Sequence, residues 1–177
     1  MENPLLTLLT EKDYDGVLAL LEEAFPADER RDDASQLKTF NEQNYLCFVY
    51  KVNDIVNALI TCWKLDGVNF IEHFAVDKSL RNNGIGSKIL SELCKNIGGN
   101  ICLEVEPPIN DLKKRRIAFY TRNGFVINDY DYMQPAYSTA KNPVPLKIMS
   151  YGKALTKNDF EKAKNEIYKK VYKLENF

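Results

Sequence analysis

The spacing of apolar positions along this chain separates strand-like from helix-like stretches. Residues 5–9 form a short apolar run that reads as a first strand. Thr10 can cap a helix, in which Tyr14, Val17, Leu18, Leu21 and Phe25 follow at helical spacing until Pro26 stops it. The run Asp28-Glu29-Arg30-Arg31-Asp32-Asp33 is polar and mixed in sign, so it reads as a solvated loop before a short helix over 34–41. The period then changes. Residues 45–52, 55–65 and 69–77 are rich in β-branched and aromatic side chains, with Asn53-Asp54 and Asp66-Gly67 between them. This predicts a three-stranded antiparallel meander. After Gly84, the positions Ile85, Ile89, Leu93 and Ile97 recur every four residues, and Gly98-Gly99 ends that helix.

Residues 101–106 read as another strand, closed by Pro107-Pro108. A helix over 111–123 follows, with Gly124 past its end, and 125–128 and 146–151 read as the last strands. The tail, 157–177, is amphipathic: Phe160, Ala163, Ile167, Val171 and Leu174 make one apolar stripe. It is expected to pack on its own domain or on a partner subunit. Strands followed by strand-helix-strand-helix-strand predict an α/β (α+β) domain with a mixed sheet. The crossover from 69–77 through the 84–98 helix to 101–106 makes those strands expected parallel neighbours. The expected division is one domain over 1–152 and the C-terminal helix over 153–177.

Composition narrows the function classes. The 177 residues suit a single domain, and a formal net charge of −1 is too balanced for nucleic acid or an anionic membrane as the main partner. No run reaches the roughly 18 apolar residues of a membrane span, and the acidic start, with a short apolar run after it, does not read as a signal peptide. A cytoplasmic protein is expected. Cys47, Cys62, Cys94 and Cys102 form no CxxC pair, and His73 is the lone histidine, so no metal site is expected. The cysteines read as buried, reduced thiols.

The chemistry is concentrated where the third meander strand enters a turn, Arg81-Asn82-Asn83-Gly84-Ile85-Gly86-Ser87, and a helix begins. Glycines let backbone approach a ligand closely. A helix's first turn offers unpaired N–H groups and the positive end of its dipole. Together these suit a phosphate, and Arg81 can add a charged contact. A dinucleotide fingerprint would need a third glycine, and a P-loop a fuller G-x-x-x-x-G-K-[ST]; the turn supplies neither.

This stretch resembles the acyl-CoA motif [QR]-x-x-G-x-[GA] of the GNAT superfamily of acyl-CoA N-acyltransferases. A second stretch, Ala118-Phe119-Tyr120-Thr121-Arg122-Asn123-Gly124-Phe125, is similar to that superfamily's A-x-Y-x-x-x-G-F. The order of elements matches over about residues 5–151. The resemblance implies a mostly antiparallel central sheet with a splayed βαβ core, flanking helices and here an extra C-terminal helix. It implies transfer of acetyl from acetyl-CoA, a co-substrate, to a primary amine by direct attack. Phe74, Ala75 and Val76 would pair with the pantetheine arm. The amides of Asn82, Asn83, Gly84, Ile85, Gly86 and Ser87, with Arg81, would hold the pyrophosphate. Tyr120 would protonate the departing thiolate. Many members carry Asn seven residues before that tyrosine; Lys113 stands there, and Asn110 is a candidate substitute.

A base is useful because an alkyl ammonium must lose a proton before it attacks. In similar enzymes a glutamate of this strand often serves, which implicates Glu72. Period two places Glu72 with Phe74 and Val76 on one face and His73 on the other. Glu72 could equally be an ion-paired structural carboxylate, and His73 either a base or a packed core residue. Glu104 and Glu106 share one face of their strand and could meet a cationic acceptor or solvent. Lys113-Lys114-Arg115-Arg116 reads as a solvated face or a phosphate contact. Tyr130, Tyr132, Tyr137 and Tyr151 gather around Gln134-Pro135 in the segment between the last strands and could form an acceptor wall or equally pack an exposed loop. A small-molecule amine is the expected partner rather than a protein, with a homodimer possible. The rival function is an acyl-CoA-binding regulatory or sensor domain without catalysis.

Overall fold

The computed structural model describes residues 5–175, so the acidic start and the last two residues of the expected tail helix lie outside the described residues. Seven strands and five α-helices are found among them, in two compact units: residues 5–64 with 71–98, and 65–70 with 99–175. The result is the expected mixed α/β fold, and the described ladders are antiparallel.

In the first unit, β1 (Thr7–Leu8) pairs β2 (Tyr45–Val52) and β2 pairs β3 (Ile55–Leu65). β4 (Val68–Val76), of which residues 71–76 count in this unit, follows β3 in the order of strands. The expected hairpin closes on Asn53 and Asp54, both with positive φ (52° and 61°), as a two-residue primed turn requires. The expected first helix is a 3-10 turn, Glu11–Asp13, continuing into α1 (Tyr14–Ala24). Thr10 and Asp13 begin it: the Thr10 N–H and hydroxyl both donate to Asp13 Oδ2, at 2.9 and 2.7 Å. Asp32 caps α2 (Asp33–Thr39) by accepting from the Ser35 N–H at 2.8 Å. Val17, Val49, Leu59, Ile60 and Ile71 form the buried centre with Ile89, Leu90 and Leu93 of α3 (Ile85–Ile97).

In the second unit, β5 (Ile101–Val105) pairs β7 (Val144–Tyr151), which pairs β6 (Phe125–Gln134). β6 runs six residues further than the alternation suggested, because a bulge hides the pattern. Between the pairs Asn128–Ile148 and Tyr132–Leu146, residues 129–131 face Lys147 alone. Lys147 stitches this bulge, donating to Asp129 Oδ1 at 3.0 Å and the Tyr130 carbonyl at 3.3 Å. Tyr130 and Tyr132 are therefore strand residues, not loop residues. α4 (Asp111–Arg122) is capped by Asn110, whose side-chain oxygen accepts from the Lys113 N–H at 2.9 Å.

α5 (Lys157–Lys170) buries the expected stripe, Phe160, Ala163 and Ile167, in its own unit. Phe160 meets Tyr130 at 4.7 Å between ring centres, and the Tyr168 hydroxyl donates to the Met133 carbonyl. Val171 is buried just past the helix end, and Lys173, at φ 57°, turns the chain.

Candidate functional site

β4 ends at Val76, and a 3-10 turn, Lys78–Leu80, follows, held by Asp77 Oδ1 accepting from the Ser79 N–H at 2.8 Å. Arg81 Nε donates to the Val76 carbonyl at 2.8 Å, which ties the turn back to the strand end. Asn82 has φ 66° and Gly84 φ 75°, so the backbone reverses twice through the left-handed region before α3 starts. Gly84 is the residue preceding the helix, and a Cβ built there would meet nothing within 4 Å. The first intrahelical bond runs from the Lys88 N–H to the Gly84 carbonyl at 3.2 Å. The N–H groups of Ile85, Gly86 and Ser87 precede that bond and lie at the dipole's positive end. Arg81, Asn82, Asn83 and Gly84 are exposed, and Ile85, Gly86 and Ser87 half-buried. This is a cradle open on the side where a phosphate would come.

Along the strand leading to it, the expected alternation holds: Glu72, Phe74 and Val76 are half-buried, and Ile71, His73 and Ala75 buried. The Glu72 side chain itself is 0% exposed, so the exposure of that residue belongs to its main chain. Glu72 Oε1 lies 2.8 Å from Arg31 Nη1, and Oε2 accepts from Trp63 Nε1 at 3.0 Å. Arg31 also lies 5.7 Å from the Trp63 ring centre. Arg31 is thus buried rather than solvated, because it supplies the charge that lets Glu72 lie inside. His73 is buried with Nε2 at 3.0 Å from the Glu29 carbonyl, Nδ1 at 3.7 Å from Glu72 Oε2 and its ring edge-on to Phe25 at 4.7 Å. The carbonyl contact makes Nε2 the donor nitrogen. Burial pushes the His73 pKa below its ordinary 6.5, against the pull of Glu72, so the ring is neutral at pH 7.

Tyr120 belongs to the second unit. It is 8% exposed on α4, with ring centres at 5.3 Å from Phe119 and 5.8 Å from Phe125. Gly124, φ 88°, is needed where it stands: a Cβ there would fall 3.0 Å from the Tyr151 ring, which packs on Phe125 at 5.2 Å. Burial pushes the Tyr120 hydroxyl up to about 12, so it holds its proton at neutral pH.

Glu106 is matched by Lys113 at 3.0 Å and Arg116 at 2.7 Å, which places part of the basic run on a carboxylate. Asn110 spends its side-chain oxygen on the helix cap. Glu104 accepts from the hydroxyls of Tyr132 and Tyr172. Arg31, Tyr168 and Tyr172 were not singled out by the sequence. Only the aromatic spacing of the tail could have signalled the two tyrosines, and nothing local marks Arg31.

All four cysteines are free and buried, and burial pushes Cys47, Cys62 and Cys94 up to about 12, so they are thiols rather than nucleophilic thiolates. Among the described residues no group of three or more His, Cys, Asp or Glu is placed to hold a metal, and no helix is long and apolar enough to cross a membrane.

Residues 43–127 match the family model of the acetyltransferase (GNAT) domain. The whole chain is similar to a solved structure from Bacteroides thetaiotaomicron assigned to the GNAT family of acetyltransferases: 32% identity, 96% of this chain and 99% of that one, TM-score 0.87. Two others share the fold. The ribosomal-protein-S18-alanine N-acetyltransferase of Escherichia coli is 18% identical over 85% of this chain and 94% of that one, TM-score 0.62. Arabidopsis thaliana Naa50, in complex with the bisubstrate analogue CoA-Ac-MVNAL, is 23% identical over 83% and 98%, TM-score 0.56. No curated protein matches the sequence.

Proposed function

Since the chain belongs to the GNAT family of acetyltransferases, we propose that it transfers the acetyl group of acetyl-CoA to a primary amine of a small-molecule acceptor. The amine attacks the thioester carbonyl directly, with no covalent enzyme intermediate. The observation that carries this reading is the turn at Gly84: a left-handed residue, open above, at the start of a 13-residue helix. Such a turn suits a pyrophosphate, with Arg81 and the amides of residues 82–87 as donors. The exposed main chain of Glu72 and the half-buried Phe74 and Val76 suit an extended arm that pairs with strand backbone.

The new bond joins the amine nitrogen to the carbonyl carbon, and the bond that breaks is carbon to sulfur. The thiolate that leaves needs a proton, and Tyr120 is the donor in this reading, because its hydroxyl is protonated at neutral pH. The attacking nitrogen must shed a proton. Glu72 is assigned as its acceptor in this reading, and because its closed side chain already serves Arg31 and Trp63, one of those contacts must open before the amine or a relay water can reach it. A panel of primary amines with acetyl-CoA, followed by release of free thiol, tests the function. Thiol release that depends on one amine class supports it; binding of acetyl-CoA with no turnover on any amine would make the protein a non-catalytic acyl-CoA binder.

A further inference from the structure

Glu72 stands in the middle of β4 with its side chain out of water, held there by a guanidinium from outside the sheet. Arg31 Nη1 lies 2.8 Å from Glu72 Oε1, and the Trp63 indole N–H donates to Oε2 at 3.0 Å. The same guanidinium stands 5.7 Å from the centre of the Trp63 ring. A carboxylate closed in this way takes no proton from an amine until one of the two donors withdraws.

The two donors differ in how they are anchored. Trp63 belongs to β3, is 2% exposed and packs edge-on against Tyr45 at 4.9 Å. Withdrawing its indole would open the core of the unit. Arg31 stands outside helix and strand, between the 3-10 turn Ala27–Glu29 and α2, and reaches Glu72 on a long unbranched stem. Its head moves away by rotation about side-chain bonds, with the strands unmoved. Charge then decides what takes its place. Glu72 left buried with no counter-charge is the costly case, so only another cation offsets the departure of the guanidinium. A protonated primary amine meets both demands, with N–H donors for Oε1 and a positive charge for the Trp63 face.

We propose that the Arg31 guanidinium is a resident stand-in for the substrate ammonium, and that an acceptor binds by exchanging with it on Glu72. This deepens the acetyltransferase reading and rests on Glu72 as the proton acceptor in it. The exchange sets the substrate class. The acceptor is an alkyl amine that arrives protonated, with a pKa near the lysine value of about 10. Aryl amines, neutral at pH 7, are refused. Once seated, the ammonium passes one proton to Glu72 Oε1. The lone pair left on nitrogen forms the bond to the thioester carbonyl carbon as the carbon–sulfur bond breaks. The amide product carries no charge and does not hold the seat against the guanidinium. Arg31 returns as the Glu72 proton passes to water, and the product leaves.

Trp63 is the lone tryptophan of the chain, so its emission reports the exchange. The probe is ethylammonium chloride, titrated into the full chain at pH 7. Ethanol serves as a neutral molecule of similar shape, and sodium chloride matches the ionic strength. The cation should shift the emission of the parent saturably, and neither control should. Arg31→Lys keeps a positive charge for Glu72 but loses the planar fork and its stacking on Trp63. It should still melt cooperatively, and ethylammonium should bind it severalfold more tightly than the parent. Arg31→Met has no resident cation, so binding should tighten by about tenfold, and bound ethylammonium should raise its melting temperature. A merely structural Arg31 would lower the melting temperature in both variants and leave the cation's Kd where it was. Emission that ignores the cation in the parent, or an unchanged Kd in Arg31→Lys, overturns the exchange, whether or not Arg31→Met folds. A thermal shift with acetyl-CoA on the same samples separates the two ideas. Exchange without an acetyl-CoA shift sinks the acetyltransferase reading, and the converse sinks the exchange alone.

Discussion

Arg31 Nη1 and Glu72 Oε1 lie 2.8 Å apart with side chains 8% and 0% exposed, so a loop cation and a strand carboxylate share one desolvated site. Breaking such a pair from one side strands the other charge, at a cost of about 3–5 kcal/mol, whereas replacing both with apolar groups is often neutral. Glu72→Gln alone is therefore expected to lose both stability and turnover. The double variant Arg31→Met, Glu72→Leu should recover most of the urea midpoint. If Glu72 is the base, it should stay ~10²–10⁴-fold slow in thiol release. Recovery of turnover together with stability would leave the pair a purely structural one.

His73 predicts a pH dependence of stability. Burial, the largest cause, lowers its folded pKa below the unfolded 6.5, so the unfolded chain binds the proton first as pH falls. The stability is fully present above pH 6.5 and is lost as pH drops from there through the folded pKa. Melting temperature should fall over that window in the parent chain, and His73→Phe should flatten the fall. An equally steep fall in that variant would place the cause elsewhere.

Gly84 carries two separable demands, φ 75° and an open side. Gly84→Val meets neither and should lower the melting temperature as well as abolish acetyl-CoA binding. Gly84→Asn tolerates the left-handed region better, so it should fold nearly normally yet lose the ligand shift. The parent protein, with acetyl-CoA at about 100 times its Kd, should gain roughly 2.7 kcal/mol. A full shift retained in Gly84→Asn would move the phosphate site away from this turn.

Tyr120→Phe removes one hydroxyl and leaves the ring against Phe119 and Phe125. Turnover on a confirmed acceptor should fall by ~10²–10⁴-fold while the melting temperature barely moves. Turnover at the parent rate would exclude Tyr120 as the acid on the thiolate.

The tail stabilises the unit from which it springs. Phe160 is 1% exposed and Ile167 0%, and fully burying such side chains is worth about 1.5–3 kcal/mol each. Deleting the chain after Tyr151 should therefore lower the melting temperature of the monomer, and Ile167→Ala alone should cost roughly 2–5 kcal/mol. A truncated chain with the parent melting temperature would make α5 a passive appendage.

What could be read along the chain is what depends on neighbours in sequence. The hairpin at Asn53-Asp54, the helix after Gly84 and the glycine at 124 each follow from a local backbone demand that only a few residue types meet. The two motifs were legible for the same reason, since each places a glycine and its polar partners within one strand-to-helix or helix-to-strand turn. β6 was read short because the bulge opposite Lys147 shifts the phase of its alternation.

The elements, their order and the glycine turn follow from the chain alone, because the period of apolar residues and the dihedral limits of glycine act within a few positions. What each carboxylate does follows from the packing instead. Glu72 meets Arg31, 41 residues away, and Glu104 meets Tyr172, 68 residues away. Glu106, by contrast, is taken by Lys113 and Arg116 from the next helix. A charge inside a fold is defined by the partner that lets it leave water, and that partner is chosen by how strands and helices come together.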